Sequence, residues 1–247
     1  NLNPALGISA KPYAAAFEFN VASSVGTRRL GSGGVVGTDI NSSVPIFDYD
    51  TDIIAIEPTF TQSDESPKVT LIAHVSNFHH PRGGLNTSLV LGDLSKLENN
   101  YDQDLLNDAA LFGIFLMMAL YHFVLFTQRK EDWCSFWFGS ACLIGAIRIL
   151  VQSDAVSLLL DINDNLFAQY TLCKLDFLTL NGVPAFALFA SQLVSSRWFS
   201  RALSILIALY LPLCLMVVFT TPETFSPWLT QHQLLVLGMI LATLAHL

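Results

Sequence analysis

The stretch AALFGIFLMMALYHFVLFTQ, residues 109–128, decides the fold of this chain. It carries no formal charge and lies between Asp108 and Arg129. A helix needs about 20 consecutive apolar residues to span the hydrocarbon core of a bilayer. We therefore predict a membrane-spanning helix here, rather than a helix buried in a soluble core.

Composition divides the chain at this point. Of its 247 residues, 52% are hydrophobic and 13% are charged, whereas an ordinary soluble domain has roughly 25% charged residues. Most of the acidic residues and glycines precede residue 109, and long apolar blocks follow it. The net charge of -8, with no basic patch, argues against a nucleic-acid partner. The chain is therefore predicted to be a soluble head followed by a multi-span membrane domain.

The ends and the cysteines give two further expectations. The chain starts at Asn1 without an initiator methionine or a signal peptide, and its last apolar run stops without a cap or basic flank. We expect it to be cut from a longer protein. All four cysteines lie in the apolar half, so no disulfide framework holds the head, and they are predicted to be small packing residues: Cys134, Cys142, Cys173 and Cys214.

The head is predicted to be an all-β sandwich of the jelly-roll kind, in part, over residues 1–100. Short β-prone segments are separated by turn residues and cover residues 13–21, 52–60, 68–78 and 86–91. In the third segment Val69, Leu71, Ala73 and Val75 alternate with polar residues, which predicts one apolar face. The glycine-rich residues 31–37 lack a phosphate-binding lysine, so a β-bulge or a turn is favoured.

One loop of the head carries candidate ligand-binding residues. The segment SNFHHPRGGL, residues 76–85, holds His79, His80 and Arg82, which can bind a metal, an anion or a sugar. The alternative is a structural loop in which Asn77 and the histidines bond to the backbone. Neither a cysteine nor a third spaced histidine lies nearby, so we predict no metal and favour the structural loop.

After a linker at residues 101–107, the membrane domain is predicted to cover residues 108–247 as an all-α bundle. Five apolar runs are predicted spans, at residues 108–128, 133–153, 168–195, 202–221 and 230–247. Successive linkers alternate in charge: those after the first and third runs are basic, and those after the second and fourth are acidic. By the positive-inside rule, the head is outside and the basic loops are cytoplasmic.

Several residues refine this bundle. Trp133, Trp198 and Trp228 lie at run ends, where indole rings prefer the membrane interface. Pro184 and Pro212 lie inside runs, where each removes a backbone donor and favours a kink. Small residues four apart in the second run predict close helix packing: Ser135 with Gly139, and Ala141 with Gly145.

Three charged residues lie within the runs: Arg148, Lys174 and Asp176. At about 1.5 Å per residue, all three fall in the outer part of the bilayer. Lys174 and Asp176 are two apart and point to different helix faces, so Arg148 is the predicted partner of Asp176. We favour a structural ion pair or vestibule lining over a transport site. His122 is predicted to be a packed, neutral imidazole.

The order of these features resembles a known family. A head ending in SNFHHPRGGL and LGDL, an acidic linker, and then LFGIFLMMALYHFVLF, residues 111–126, resembles bacterial seven-transmembrane receptors with diverse intracellular signalling modules. Within the first hairpin the similarity rests on Gly113, Phe115, Met118, Tyr121 and Phe126, and on residues 133–138 after the basic turn. The resemblance covers about residues 35–247.

The resemblance implies a function. It indicates the sensor and transmembrane part of a receptor in the bacterial inner membrane, with a periplasmic head that binds a small ligand such as a carbohydrate. Five of the family's seven spans are present, and the cytoplasmic kinase, cyclase or phosphatase module is missing. The family also implies a homodimer. No catalytic residue carries over.

Two other functions stay open. A transporter or channel would use Arg148, Lys174 and Asp176 with the two proline-containing helices, but inverted repeats and midplane polar residues are absent from the sequence. A membrane anchor of a cyclase or kinase is the other alternative. The residues given contain no nucleophile with a base, no phosphate loop and no paired buried carboxylates, so we predict no enzymatic activity and no cofactor.

Overall fold

A computed structural model shows a β region followed by long helices, which confirms the predicted fold class. The chain divides into two compact units, one of Asn1–Leu106 with Ser153–Gln169 and the other of Asn107–Gln152 with Tyr170–Leu247. The structure describes residues 6–13, 15–23, 26–46, 52–56, 70–78, 83–85, 89–156, 166–193 and 196–246.

The first unit contains small antiparallel sheets. Its described strands are β1 Leu6–Ala10, β2 Pro12–Tyr13, β3 Ala16–Ser23, β4 Gly26–Gly33, β5 Asp52–Ile56, β6 Thr70–Ser76, β7 Gly84–Leu85 and β8 Val90–Asp93. In the described residues the strand orders are β5-β1-β8, β4-β3-β6 and β2-β7. The jelly-roll topology stays a prediction, because these sheets alone do not specify it.

Strand β3 is the centre of the packed part of the head. Phe17 and Phe19 are buried against each other, with ring centroids 5.3 Å apart. On β6 their partners in the register are Val75 and Ala73, and directly paired residues lie on the same face of a sheet. Leu71, Ala73 and Val75 of the predicted apolar face therefore lie on the core side of β3, and Val69 lies outside the described residues. Even so, most of β6 is exposed, since it is an edge strand of the described sheet.

Two predicted segments of the head are divided differently in the structure. The segment 13–21 was predicted as one strand, but it is shared between β2 and β3. The glycine-rich residues 31–37 are also divided. Residues 31–33 end β4 beside a register shift opposite Phe19 and Asn20, and Gly34 then adopts a positive φ of 67°, which glycine favours. The bend at Gly34 supports the turn predicted for this stretch, whereas the register shift falls at Leu30, one residue before it.

Helix α1, Leu94–Gln128, begins well before the first predicted span. The Asp93 carboxylate caps it by accepting from the Ser95 backbone N–H at 3.2 Å and from the Ser95 hydroxyl at 3.0 Å. Residues 101–107, predicted as a linker, are consequently helical. The helix formers Leu, Lys, Glu and Gln between residues 94 and 106 explain why the helix extends into polar sequence.

In the described residues, five helical segments are long and apolar enough to span a membrane: Leu94–Gln128, Trp133–Gln152, Phe167–Leu193, Arg197–Phe219 and Pro222–His246. After α1 the helices are α2 Trp133–Gln152, α3 Leu166–Leu178, α4 Gly182–Leu193, α5 Arg197–Phe219, α6 Pro222–Phe225 and α7 Leu229–Leu244. Short 3-10 turns cover Thr179–Asn181 and Ser226–Trp228.

The span boundaries differ from prediction in three places. The third span is interrupted by the turn Thr179–Asn181, just before Pro184, whose missing N–H cannot bond to a preceding carbonyl. The fourth begins at Arg197 instead of 202, because Ser196 caps it by accepting from the Phe199 N–H. The fifth begins at Pro222 instead of 230. Pro212 lies inside α5, and the helix continues through it.

Helix packing confirms the predicted close approach at Gly139. This glycine is buried with Ser135 on one face of α2. A β-carbon at Gly139 would lie 3.3 Å from the Ala119 carbonyl oxygen and 3.3 Å from the Phe123 ring, so the small residue allows α1 to come close. Gly145 faces Phe115 in the same way, at 3.1 Å. A second apolar cluster packs α4, α5 and α7 together around Phe199, Leu203, Tyr210, Val236 and Met239.

Candidate functional site in the helix bundle

Arg148 on α2 and Asp176 on α3 form the ion pair that the sequence predicts. The Arg148 Nη1 atom lies 3.5 Å from Asp176 Oδ1. The Asp176 side chain is 15% exposed and that of Arg148 is 40% exposed. The carboxylate is therefore the more deeply placed partner, and its charge depends on the groups around it.

Two uncharged side chains complete this polar cluster, which consists of Arg148, Gln152, Asp176 and Thr179. Gln152 Nε2 donates to Asp176 Oδ1 at 3.0 Å. Arg148 Nη1 also donates to the Thr179 hydroxyl at 2.9 Å, which is shorter than its distance to the carboxylate. The arginine therefore contacts both the last turn of α3 and the 3-10 turn that follows it.

Local backbone geometry places these groups together. Arg148 and Gln152 are four residues apart on α2, so they lie on the same helix face. The buried Thr179 donates its hydroxyl hydrogen to the Asp176 carbonyl at 2.6 Å, and this closes the end of α3. Asn181 repeats the arrangement with the Leu178 carbonyl at 2.7 Å. The interruption of the third span thus places Thr179 beside Arg148 of α2, whereas the Asn181 amide oxygen accepts from the Cys214 thiol of α5.

Lys174 belongs to a different face, as predicted. Its ammonium group donates to the Val218 carbonyl at 3.1 Å, in the last turn of α5. The final carbonyls of a helix lack partners within the helix and carry partial negative charge, so a lysine there is favourable. The three charged residues are therefore divided into an α2–α3 ion pair and a separate α3–α5 contact.

Two histidines, the partly buried His122 and the buried His232, lie outside this cluster. His122 packs edge-on against Phe138, with ring centroids 4.5 Å apart, in agreement with the predicted packed imidazole. His232 is 1% exposed and packs edge-on against Tyr210 at 5.4 Å. The Tyr210 side chain has Cys214 as its polar neighbour, and His232 has the backbone of Leu213. Sequence reasoning missed this second polar group, since nothing in the spacing of Tyr210 and His232 links them.

The head residues proposed as ligand contacts, His79, His80 and Arg82, lie outside the described residues. The described ends of their loop are joined by a hydrogen bond from Asn77 Nδ2 to the Gly83 carbonyl at 2.8 Å. That bond supports the structural role predicted for Asn77. Within the described ranges, no group of three or more His, Cys, Asp or Glu side chains is placed to hold a metal ion.

Comparison with known families decides what kind of bundle this is. Residues 105–247, more than half of the chain, match the family described as 7TM diverse intracellular signalling. The chain belongs to this family. Searches of curated proteins and of solved structures found no match.

Membership of the 7TM diverse intracellular signalling family makes this chain part of a membrane signalling receptor. The family is a sensory one, not an enzymatic one. The chain is a multi-pass membrane protein in contact with the lipid bilayer. Large apolar side chains of α1 point outward, as lipid-facing residues do: Leu111, Ile114, Met117, Leu120 and Val124.

Proposed function

We propose that this chain is the sensor and transmembrane part of a bacterial inner-membrane receptor. A small extracytoplasmic ligand, with carbohydrates as the first class to test, would act on the head or the bundle. The signal would pass to a cytoplasmic output module on the same chain. The observation that carries the proposal is the match of residues 105–247 to a membrane signalling family.

The polar cluster is the proposed two-state element of the bundle. A ligand shifts an equilibrium only by binding its two states with different affinity, so the bundle needs an interaction that one state makes and the other lacks. The Arg148–Asp176 pair joins α2 to α3 through side chains that can separate without unfolding either helix. Gln152 and Thr179 supply hydrogen bonds that hold one arrangement.

Orientation is part of the proposal. Arg129 and Lys130 follow α1, and Arg197 and Arg201 lie in the first turns of α5. By the positive-inside rule, the end of α1 and the start of α5 would lie in the cytoplasm and the head in the periplasm. The test is labelling of spheroplasts with a membrane-impermeant maleimide, in a background where the four native cysteines are replaced by alanine. Asn41→Cys should be labelled in intact spheroplasts, and Lys130→Cys only after lysis. The reverse pattern would overturn the orientation.

Ligand sensing is tested with the full-length protein in membranes. A panel of mono- and oligosaccharides is screened for a rise in melting temperature, and the hit is repeated with Asp176→Asn. We expect the hit to bind both forms but to change the protease pattern of the wild type alone. A sugar that is instead accumulated inside proteoliposomes would favour the transporter.

The output module has its own test. Translation of the coding region beyond Leu247 should give two further apolar spans and then a kinase, cyclase or phosphatase domain. Many more spans without a soluble domain would contradict the receptor proposal. Chemical crosslinking of the purified full-length protein tests the expected homodimer, which should give a band at twice the monomer mass.

A further inference from the structure

The chain after α2 belongs to the same compact unit as the head. Residues Ser153–Gln169 cluster with Asn1–Leu106 and not with the helices that flank them. Within this unit Lys11, in the link between β1 and β2, lies 3.1 Å from Asp154, Nζ to Oδ1. The Asp154 side chain is 10% exposed and that of Lys11 is 29% exposed. This ion pair is therefore much less hydrated than an ordinary surface pair.

The turn that presents Asp154 is packed. Ser153 is buried, and its hydroxyl accepts from the Ala155 backbone N–H at 3.3 Å. Val156, the next apolar residue, is 9% exposed. The carboxylate thus projects from an ordered turn, and Lys11 meets it in a defined position.

Two residues earlier, the chain is held by the polar cluster. Gln152 is the last residue of α2 and donates to Asp176 at 3.0 Å. Two residues span at most about 7 Å of extended chain. Gln152 and Asp154 therefore cannot separate beyond this length, so a larger displacement of Asp154 moves Gln152 with it.

We infer that residues 152–154 couple the head to the polar cluster, with the Lys11–Asp154 ion pair as the head-side connection. The inference rests on the proposed receptor function, and it names the route by which a change in the head reaches α2 and α3. The chain also passes from one unit to the other within α1 and within α3. Substitutions at Lys11 and Asp154 change neither helix, so the connection after α2 can be tested separately.

The test uses thiol labelling of the full-length protein in membranes and needs no ligand. Cys134, Cys142 and Cys214 are replaced by alanine. Native Cys173, 1% exposed and one turn before Asp176, reports on α3. In a parallel strain Cys173 is also alanine, and Val156→Cys reports on docking of the loop. N-ethylmaleimide labelling rates are compared among wild type, Lys11→Asp, Asp154→Lys and the double charge swap.

We expect each single charge change to raise the labelling rate at both reporters about fivefold, as loss of one partly buried polar pair permits more frequent local opening. The double swap should restore slow labelling. Lys96→Asp, which makes the same charge change at an exposed position of the head, is the matched control and should alter neither rate.

Two results would overturn the inference. If Val156→Cys labels faster but Cys173 does not, the loop docks without transmitting to α3. If neither rate changes, the ion pair does not hold the loop. Because no ligand or output is measured, either result leaves the receptor proposal standing, and failure of ligand sensing leaves this coupling standing.

Discussion

Gln152 Nε2 lies 3.0 Å from Asp176 Oδ1, closer than the 3.5 Å that separates the same oxygen from the arginine predicted to pair with it. A neutral amide thus makes the shorter contact with the carboxylate. The charged partner is shared, since Arg148 also donates to Thr179 at 2.9 Å. Arg148 and Gln152 can therefore contribute differently to the stability of this cluster.

Arg148→Ala should lower stability more than Gln152→Ala. Removing the arginine leaves Asp176 with an uncompensated charge, and we expect a loss of about 1–3 kcal/mol, reduced by the partial exposure of Arg148. Removing the glutamine costs one hydrogen bond, about 1 kcal/mol. Thermal unfolding in detergent measures both.

The matched control for the arginine is Arg129→Ala, which removes the same side chain from an exposed turn and should leave the melting temperature unchanged. A double variant, Arg148→Ala with Asp176→Asn, should recover part of the loss because the unpaired charge is gone. If this second substitution destabilises the protein further, the ion pair is not the interaction that Arg148→Ala removes.

Gly139→Leu should disrupt the contact of α1 with α2. The site leaves no room for a side chain, because a β-carbon there would lie 3.3 Å from both the Ala119 carbonyl oxygen and the Phe123 ring. Overpacking of this kind typically costs about 1–3 kcal/mol. Gly113→Leu is the control, since nothing lies within 4 Å of that position. Equal melting temperatures for the two variants would show that α1 does not approach α2 at Gly139.

Much of the bundle was predictable because its signals are local. Apolar run length located all five spans, and helix periodicity placed Arg148 and Asp176 in reach of each other. Gln152 lies four residues after Arg148, on the same helix face. It was missed because only charged residues were selected within the apolar runs, and glutamine is uncharged. The break at Thr179 was missed because it depends on a contact with another helix, the hydrogen bond that Arg148 of α2 donates to the Thr179 hydroxyl.

The start of α1 shows a different limit. Residues 101–107 were predicted as a linker because they are polar and acidic, yet Leu94, Leu97, Tyr101 and Leu105 recur at helical spacing. Leu97 is buried in the head unit. Gly7 lies so close to α1 that a β-carbon added at this position would contact Leu94 and Leu97. That packing partner is more than 80 residues away in sequence, so composition alone could not reveal it.

Asp104→Pro tests the continuity of α1. Asp104 is exposed, so the substitution disturbs no core contact, but proline inside a helix costs about 3 kcal/mol. We expect new proteolytic cleavage near residue 104, whereas the wild type and Asp104→Ala should resist cleavage there. Cleavage of all three proteins at the same rate would mean that residues 101–107 form an open linker after all.

Asp132 should make the stability of α2 depend on pH. Its carboxylate caps the helix by accepting from the Ser135 hydroxyl at 2.6 Å and from the Ser135 backbone N–H at 3.3 Å. These bonds, the hydroxyl first, hold the pKa of Asp132 below its ordinary value of 3.8. A group with a lowered native pKa stabilises the fold above its ordinary pKa, and the stabilisation is lost as the pH falls through the native value.

Melting temperatures of wild type, Asp132→Asn and Asp132→Ala are therefore compared between pH 7 and pH 3. At pH 7 we expect the wild type to be most stable and the alanine variant least, because asparagine keeps the cap acceptor but not the charge that favours a helix N-terminus. Toward pH 3 the wild type should approach Asp132→Asn as its carboxylate is protonated. A wild-type advantage over Asp132→Asn that stays constant across this range would assign the effect to shape and not to charge.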